Sequence, residues 1–448
     1  MKAGDRWHQL SNDLARSSIV RGARERGANR LTLGRSSSRT AGANSLGEAH
    51  KLRRMRVLLT SQPGYGHFRP LLPLAHALLA EGHEVRVATS ASFAPVVERE
   101  GLPAEPAGLD FLHGDDSTIP AALRPPPEAD TLATFFAYKF VRMTAGRLAA
   151  DVVALASRWL PDVIVRETTE YGGLLAAQAL GLPSAAVQVA TPTLMSEAVL
   201  AEVAIALDEL RRPFGLDPDP ALAALRDEFV VCFAPPALHD PGVPLPNGLR
   251  SFHPGVPEPA EPLGELVDGL GVHRPLVYAT LGTVFTDPEY QLPFFTAVRD
   301  GLVDVPVDLL MAIGPTGEPA AFGAQRPGAL VVRYVAQRRV LDRSAVAVCH
   351  GGYGTLLDCI DAAVPLVVVP LGADQYLNAA TVQRLGIGMI VEEESMSPQT
   401  VRDAVTLLLD DRAPQRSRLA ALRHEWRALP GPDEAARGVV SLALAHRP

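Results

Sequence analysis

At 448 residues, with 47% hydrophobic and 21% charged residues, the chain is too long for one ordinary core and too balanced in composition to be disordered or fibrous. Its net charge of −8 hides an asymmetry, because residues 1–54 hold 12 Lys/Arg against 4 Asp/Glu and everything after them therefore carries −16. An acidic body excludes a nucleic-acid-binding protein, which needs a basic face, and no apolar run is long enough to span a bilayer.

Residues 1–54 are rich in Arg, Ser, Gly and Ala and show no sustained apolar period, so they are expected to form a basic extension with little fixed structure. Three readings of that segment stand: a start upstream of the native one, a transit peptide, or a basic tail. The first is favoured because Met55 directly opens a clean strand pattern. From there the order is strand (Arg56–Thr60), glycine loop (Pro63–Gly66), helix (Leu71–Glu81) and strand (Val85–Ala88), which is a βαβ unit. Short apolar runs at Val163–Val165, Ala185–Val189 and Val230–Phe233 alternate with the helix-length segments Leu148–Trp159 and Tyr171–Leu180. Such alternation predicts a parallel sheet covered on both faces, in a first domain over 55–235. Prolines and glycines accumulate across 236–263, the composition of an interdomain linker. The pattern then restarts at Leu276–Thr280, Val307–Ala312, Leu330–Val335, Ala345–Cys349, Leu366–Val369 and Gly388–Val391, a second open sheet in a domain over 264–448. The last segment, Pro432–His446, is predicted to be helical and to pack back across the hinge. Two such halves enclose a cleft, and ligands bind where the carboxyl ends of the strands face it.

The first glycine loop, Gly64-Tyr-Gly66-His67-Phe68-Arg69-Pro70, lies between a strand and a helix, where backbone can approach a ligand closely. Arg69 stands where a dinucleotide fingerprint needs its third glycine, which argues against a nicotinamide or flavin dehydrogenase. His67 sits at a helix start, whose positive dipole end favours a neutral, proton-accepting imidazole. The second constellation, Cys349-His350-Gly351-Gly352-Tyr353-Gly354-Thr355, again follows a strand and opens a helix. Its N–H groups, imidazole and hydroxyl are suited to a diphosphate, while the lack of a Walker lysine argues against an NTPase. The adjacent Cys349 and His350 point to opposite faces of an extended strand end, so Cys349 is read as a buried thiol rather than a nucleophile. With Cys232 and Cys359 it completes the cysteine complement, which has no CxxC pair; neither a disulfide framework nor a thiolate zinc site is supported, and a reducing, cytoplasmic setting follows. About twenty residues on, Asp374 and Gln375 at another strand end offer the acceptors and donors that sugar hydroxyls need.

Taken together, Gly66-His67-Phe68-Arg69-Pro70, His350-Gly-Gly-Tyr-Gly-Thr355 and Ala373-Asp374-Gln375 resemble the inverting glycosyltransferases that use nucleotide sugars, above all the natural-product enzymes with macrolide-, enediyne- and plant-type relatives. The resemblance runs from Met55 to about the C-terminus and is most specific in 55–90 and 330–392. It implies an α/β chain of GT-B fold, in which two Rossmann-like domains bind acceptor and nucleotide sugar respectively and the transfer needs neither a metal nor a further cofactor. It also implies roles. His67 matches the catalytic base, and Glu167 falls where the family usually has the Asp that orients it, although the neighbouring Arg166 leaves a structural ion pair open for Glu167. His350, Gly352, Gly354 and Thr355 match the diphosphate cradle, with Gly282 and Thr283 alongside. Tyr334, Val335 and Gln337 match the segment that stacks on and borders the nucleobase, with Tyr in place of Trp, and Asp374 and Gln375 match the donor-sugar contacts. Asp358 sits where plant-type relatives grip ribose hydroxyls, which leaves UDP and dTDP donors both open.

The acceptor is expected to be small and apolar, held by Gly66 and Phe68 and by Phe136, Phe140 and Met143 of the aromatic segment Thr134–Met143; Thr191–Leu210 is a second apolar candidate. A monomer or homodimer is expected. Two further readings use the same scaffold: a nucleotide-sugar epimerase or hydrolase, and a non-catalytic partner that activates another transferase.

Overall fold

The computed structural model describes residues 54–446 apart from 256–262, 286, 315–316 and 324–325. The expectation for the N-terminal extension therefore lies outside the described residues, as does part of the proposed linker. Strands β1 (Arg56–Thr60), β2 (Glu84–Thr89), β3 (Ala104–Pro106), β4 (Val163–Glu167), β5 (Ser184–Val187), β6 (Phe229–Cys232) and β7 (Gly248–Ser251) form one parallel sheet in the order β3-β2-β1-β4-β5-β6-β7. A second parallel sheet has the order β10-β9-β8-β11-β12-β13, from β8 (Leu276–Thr280), β9 (Asp308–Ala312), β10 (Ala329–Val332), β11 (Ser344–Cys349), β12 (Leu366–Val368) and β13 (Gly388–Ile390). The central strands are apolar on both faces because helices cover both: every residue of β4, β8 and β9 is buried.

In each sheet the chain winds outward from one strand, then returns to wind the other way. The reversal falls between β1 and β4 in the first sheet and between β8 and β11 in the second. Crevices open at such reversals, beyond the strand carboxyl ends. The loops after β1 and β4 carry His67 and the segment behind Glu167; those after β8 and β11 carry Gly282 and His350.

One face of the first sheet packs on the helix Leu72–Ala80 and, across the hinge, on Ala435, Ala436, Val439 and Ala443 of the last helix, Pro432–Ala445. Trp426 Nε1 donates to the Phe252 carbonyl at 3.0 Å, and Asp361 accepts from Arg427 Nε at 2.7 Å and lies 3.3 Å from His253, so the return path is pinned on both sides of the hinge. The Pro-rich stretch 236–263 is not linker throughout. Its residues Gly248–Ser251 form β7, the edge strand beside β6, whose apolar content is too small to stand out among the prolines. Among the described residues no helix is long and apolar enough to cross a membrane.

Candidate active site

The wall contributed by the first domain starts at Gly64, whose carbonyl accepts from the His67 and Phe68 amides at 3.1 and 3.0 Å, winding Tyr65–Phe68 into a single helical turn. Residue 64 has no room for a side chain, since a Cβ there would lie 2.9 Å from the Cβ of His113. The turn presents His67 to Glu167, the last residue of β4, with Nδ1 at 2.9 Å from Oε1. Glu167 is fully buried and His67 is 12% exposed. A carboxylate only accepts, so Nδ1 carries the proton and Nε2 is the nitrogen with a free lone pair.

Arg166 is not the partner of Glu167. It makes a two-pronged, buried pair with Glu228, at 3.1 and 2.6 Å, on the other face of the strand. Its Nη1 meanwhile donates to the carbonyls of Glu167, Thr168 and Glu170 at 3.2, 3.0 and 2.9 Å, fixing the turn that follows. Glu170 caps the next helix, Gly172–Leu180, taking hydrogen bonds from the amides of Gly172 and Gly173 and from the Thr60 hydroxyl. Burial pushes its carboxyl up to about 7 despite those donors.

Of the residues expected at the acceptor, Phe140 and Met143 border this wall. Phe140 packs 5.9 Å from His67 and 5.6 Å from His113, ring centre to ring centre, and Met143 joins Phe111 and Ile119 in a small apolar cluster. Gly66 is exposed on the turn. Phe68 and Phe136 are different. Phe68 faces the core against Phe93 because it lies one residue round the turn from His67, and Phe136 is fully buried behind Phe140. His113 escaped sequence reasoning entirely. It is an isolated loop histidine, yet its ring lies 4.3 Å from that of His67, and burial holds it well below the usual histidine range, so it stays neutral.

On the second domain, three glycines let the His350 loop fold. A Cβ at Gly282 would lie 3.0 Å from His350 Cε1, one at Gly352 2.6 Å from His350 Nε2, and Gly351 has φ +85°. Burial lowers His350 to about 4, against the raising effect of a hydrogen bond with the Thr280 backbone. The helix Tyr353–Ala362 starts at Gly352 with no side-chain cap, so the amides of its first turn, Gly354 and Thr355 included, are open to an anion. Thr283, half-buried, follows Gly282 on the neighbouring loop.

Below this cradle Gln337 is the hub. Its Nε2 donates to Asp358 at 2.7 Å, and its Oε1 faces the hydroxyls of Tyr278 and Thr355, each at 3.4 Å. Burial pushes the Asp358 carboxyl up, partly countered by Gln337 and by the nearby Arg338 and Arg69. Tyr334 is 61% exposed and accepts from Arg69 Nη2 of the first domain at 3.1 Å. Val335 turns its side chain into the core and leaves only main chain to border a ligand. Gln375 is buried, and its Oε1 accepts from the Leu371 and Gly372 amides at 2.8 and 3.2 Å, so its amide nitrogen is the part available to a sugar. Asn378, which the sequence did not single out, donates to the Gly351 carbonyl at 2.9 Å and to Asp374 at 3.0 Å, tying the two loops together. Burial pushes the Asp374 carboxyl up, and His67 across the cleft acts on it in the opposite sense.

Cys349 is buried and its thiol is pushed up to about 12 by burial, which suits a core residue and not a nucleophile. No group of three or more His, Cys, Asp or Glu among the described residues is arranged to hold a metal ion. The cleft thus has an imidazole with an open ring nitrogen on one wall and the uncapped start of a helix beside a buried imidazole on the other.

Residues 300–442 match the domain family described as erythromycin biosynthesis protein CIII-like, C-terminal domain. The chain is similar to an elloramycin glycosyltransferase of Streptomyces olivaceus, 31% identical over 401 residues that cover 86% of this chain and 96% of the relative. It is also similar to an L-demethylnoviosyl transferase of Streptomyces niveus, 30% identical over 394 residues, 86% of this chain and 98% of that one. A solved glycosyltransferase of Streptomyces sp. SF2575, complexed with thymidine diphosphate, has a TM-score of 0.65 and 26% identity, covering 87% of this chain and 100% of its own. Two parallel-sheet domains facing a cleft in this way are the GT-B glycosyltransferase fold. The chain belongs to the family of natural-product glycosyltransferases, which transfer sugars to acceptors.

Proposed function

We propose that this chain moves a sugar from a dTDP-linked donor onto a hydroxyl of a small apolar natural product, with inversion at the anomeric carbon and His67 as the general base. The observation that carries the reading is the pairing of His67 Nδ1 with Glu167 at 2.9 Å, which reserves Nε2 for the proton of an incoming hydroxyl. As that proton moves to Nε2, the acceptor oxygen forms a bond to the anomeric carbon and the bond to the diphosphate breaks. The electron pair leaves with the nucleoside diphosphate, which the His350 loop and the open helix start receive. Asp374 and Gln375 hold the sugar, Tyr334 and Gln337 the base. The leaving charge is met by amides and imidazole, so neither a metal ion nor a cofactor beyond the nucleotide sugar enters. The thymidine diphosphate bound by the relative that is 26% identical supports thymine over uracil.

The test joins calorimetric titration of dTDP and UDP to an NMR assignment of the anomeric configuration of the product. Tighter binding of dTDP and inversion are expected. Preference for UDP would overturn the donor, retention would overturn the displacement, and loss of activity on chelation would overturn the metal-free step. Binding without transfer to any hydroxyl would favour an epimerase, a hydrolase or an activating partner.

A further inference from the structure

The proposed base is held by more than a carboxylate. Thr169 is buried, two residues beyond Glu167, and its hydroxyl oxygen lies 3.1 Å from His67 Nδ1 and 2.8 and 2.9 Å from the two carboxylate oxygens of Glu167. Its amide donates to Glu167 Oε2 at 2.6 Å. A threonine hydroxyl has one hydrogen to give and two lone pairs. An ionised Glu167 must receive that hydrogen, so the only contact left for Nδ1 is a lone pair. Nδ1–H is then shared between two acceptors, the carboxylate and the hydroxyl. The opposite tautomer would set a bare Nδ1 against a carboxylate oxygen at 2.9 Å and leave the single Thr169 hydrogen claimed twice.

We infer that Thr169 is a positioning residue for the transfer, a brace that holds the rotamer of Glu167 and, through it, the His67 ring. The need for it lies in this chain's own sequence. Glu167 carries its carboxylate at the end of a long side chain with several free torsions, and such a carboxylate needs a second anchor to hold its place. The platform beneath is stiff, because Arg166, itself fixed by Glu228, ties the carbonyls of Glu167, Thr168 and Glu170. No ligand contact is required of Thr169, whose side chain reaches the reaction only through His67 and Glu167.

This inference rests on His67 being the base, and the test separates the two. Thr169→Val keeps shape and backbone amide but removes the hydroxyl; Thr169→Ser keeps it; Thr169→Ala serves if the valine variant does not fold. With dTDP-sugar and acceptor, Thr169→Val is expected to lower kcat roughly 10- to 100-fold while both KM values stay within about twofold, the loss of one hydrogen bond to a charged group. Thr169→Ser should return kcat to within about threefold of the unmodified protein. By NMR the His67 Nδ1–H proton should exchange with water faster in the valine variant and return towards the unmodified rate in the serine variant. An unchanged kcat, a loss that serine does not restore, or a loss expressed in KM would overturn the brace. If His67→Ala itself leaves kcat unchanged, the base assignment falls, whereas a large loss there beside a neutral Thr169→Val removes Thr169 alone.

Discussion

The short distance between the Thr169 amide and Glu167 Oε2, 2.6 Å, decides what a neutral replacement of Glu167 does. In Glu167→Gln the amide oxygen must turn toward that N–H, which leaves the NH2 group facing His67 Nδ1. The ring is then driven to carry its proton on Nε2, where it can no longer accept one. A fall in kcat of about 10²–10⁴ is expected, with dTDP affinity unchanged, and a gain or a near-normal rate would contradict the proposed tautomer. Glu167→Asp keeps the charge and is expected to lose far less. On the opposite wall, His350→Ala removes the imidazole beside the uncapped helix start, and dTDP binding is expected to weaken roughly 10- to 100-fold by calorimetry, the worth of one hydrogen bond to a charged group. An unaltered Kd would take His350 out of the cradle.

At the scale of elements, the loops after β1, β4, β8 and β11 converge because each sheet reverses its winding between those strands. The loops are tightly built, and Gly352→Ala shows how tightly: a Cβ placed 2.6 Å from His350 Nε2 must displace the ring, so nucleotide binding is expected to be lost while the fold, followed by circular dichroism, persists. Below β4, Glu170 sets a pH signature. Its folded carboxyl is raised to about 7 from the ordinary 4.5, so between those values the folded state holds a proton that the unfolded chain releases. Its contribution is fully present below about 4.5 and is lost as pH rises towards 7. Glu170→Gln, which cannot ionise, should therefore match the unmodified protein in acid and exceed it in stability by roughly 1–3 kcal/mol at pH 8; a pH-independent difference would show that Glu170 is not the titrating group.

How much of this could be read in advance depended on the kind of signal. Strand, glycine loop and helix alternate locally, so His67 after β1 and His350 after β11 were legible from pattern alone. β3 and β7 were not, because edge strands are short and tolerate Pro and Gly: Ala104–Pro106 and Gly248–Ser251 sit at the two ends of the first sheet. Aromatic residue type drew attention to Phe68 and Phe136, but rotation about the helix axis turned both inward. His113, Thr169 and Asn378 owe their places to residues 46, 102 and 27 positions away, namely His67, His67 again and Gly351, and no local period records such contacts.

Across the whole molecule the two halves are bound at the hinge and meet again at the cleft. The last helix leaves the second domain to bury Val439, fully inaccessible, in the core of the first. Val439→Asp is expected to destabilise the protein by about 3 kcal/mol or more, seen as a lower thermal midpoint, since a carboxylate there has no partner. A wild-type midpoint would mean that the helix does not dock. At the mouth of the cleft Arg69 reaches over to Tyr334, whose phenol oxygen accepts the bond. That contact ties the residue just after the His67 turn to the second domain.

His67 is proposed to take the acceptor proton while the other wall holds the donor. The measurement that checks both roles at once is kcat for His67→Ala with saturating dTDP-sugar and acceptor, alongside the calorimetric Kd for dTDP of the same protein. A fall in kcat of about 10²–10⁴ at an unchanged Kd is the predicted result. A kcat equal to that of the unmodified protein, with dTDP still bound, would contradict it.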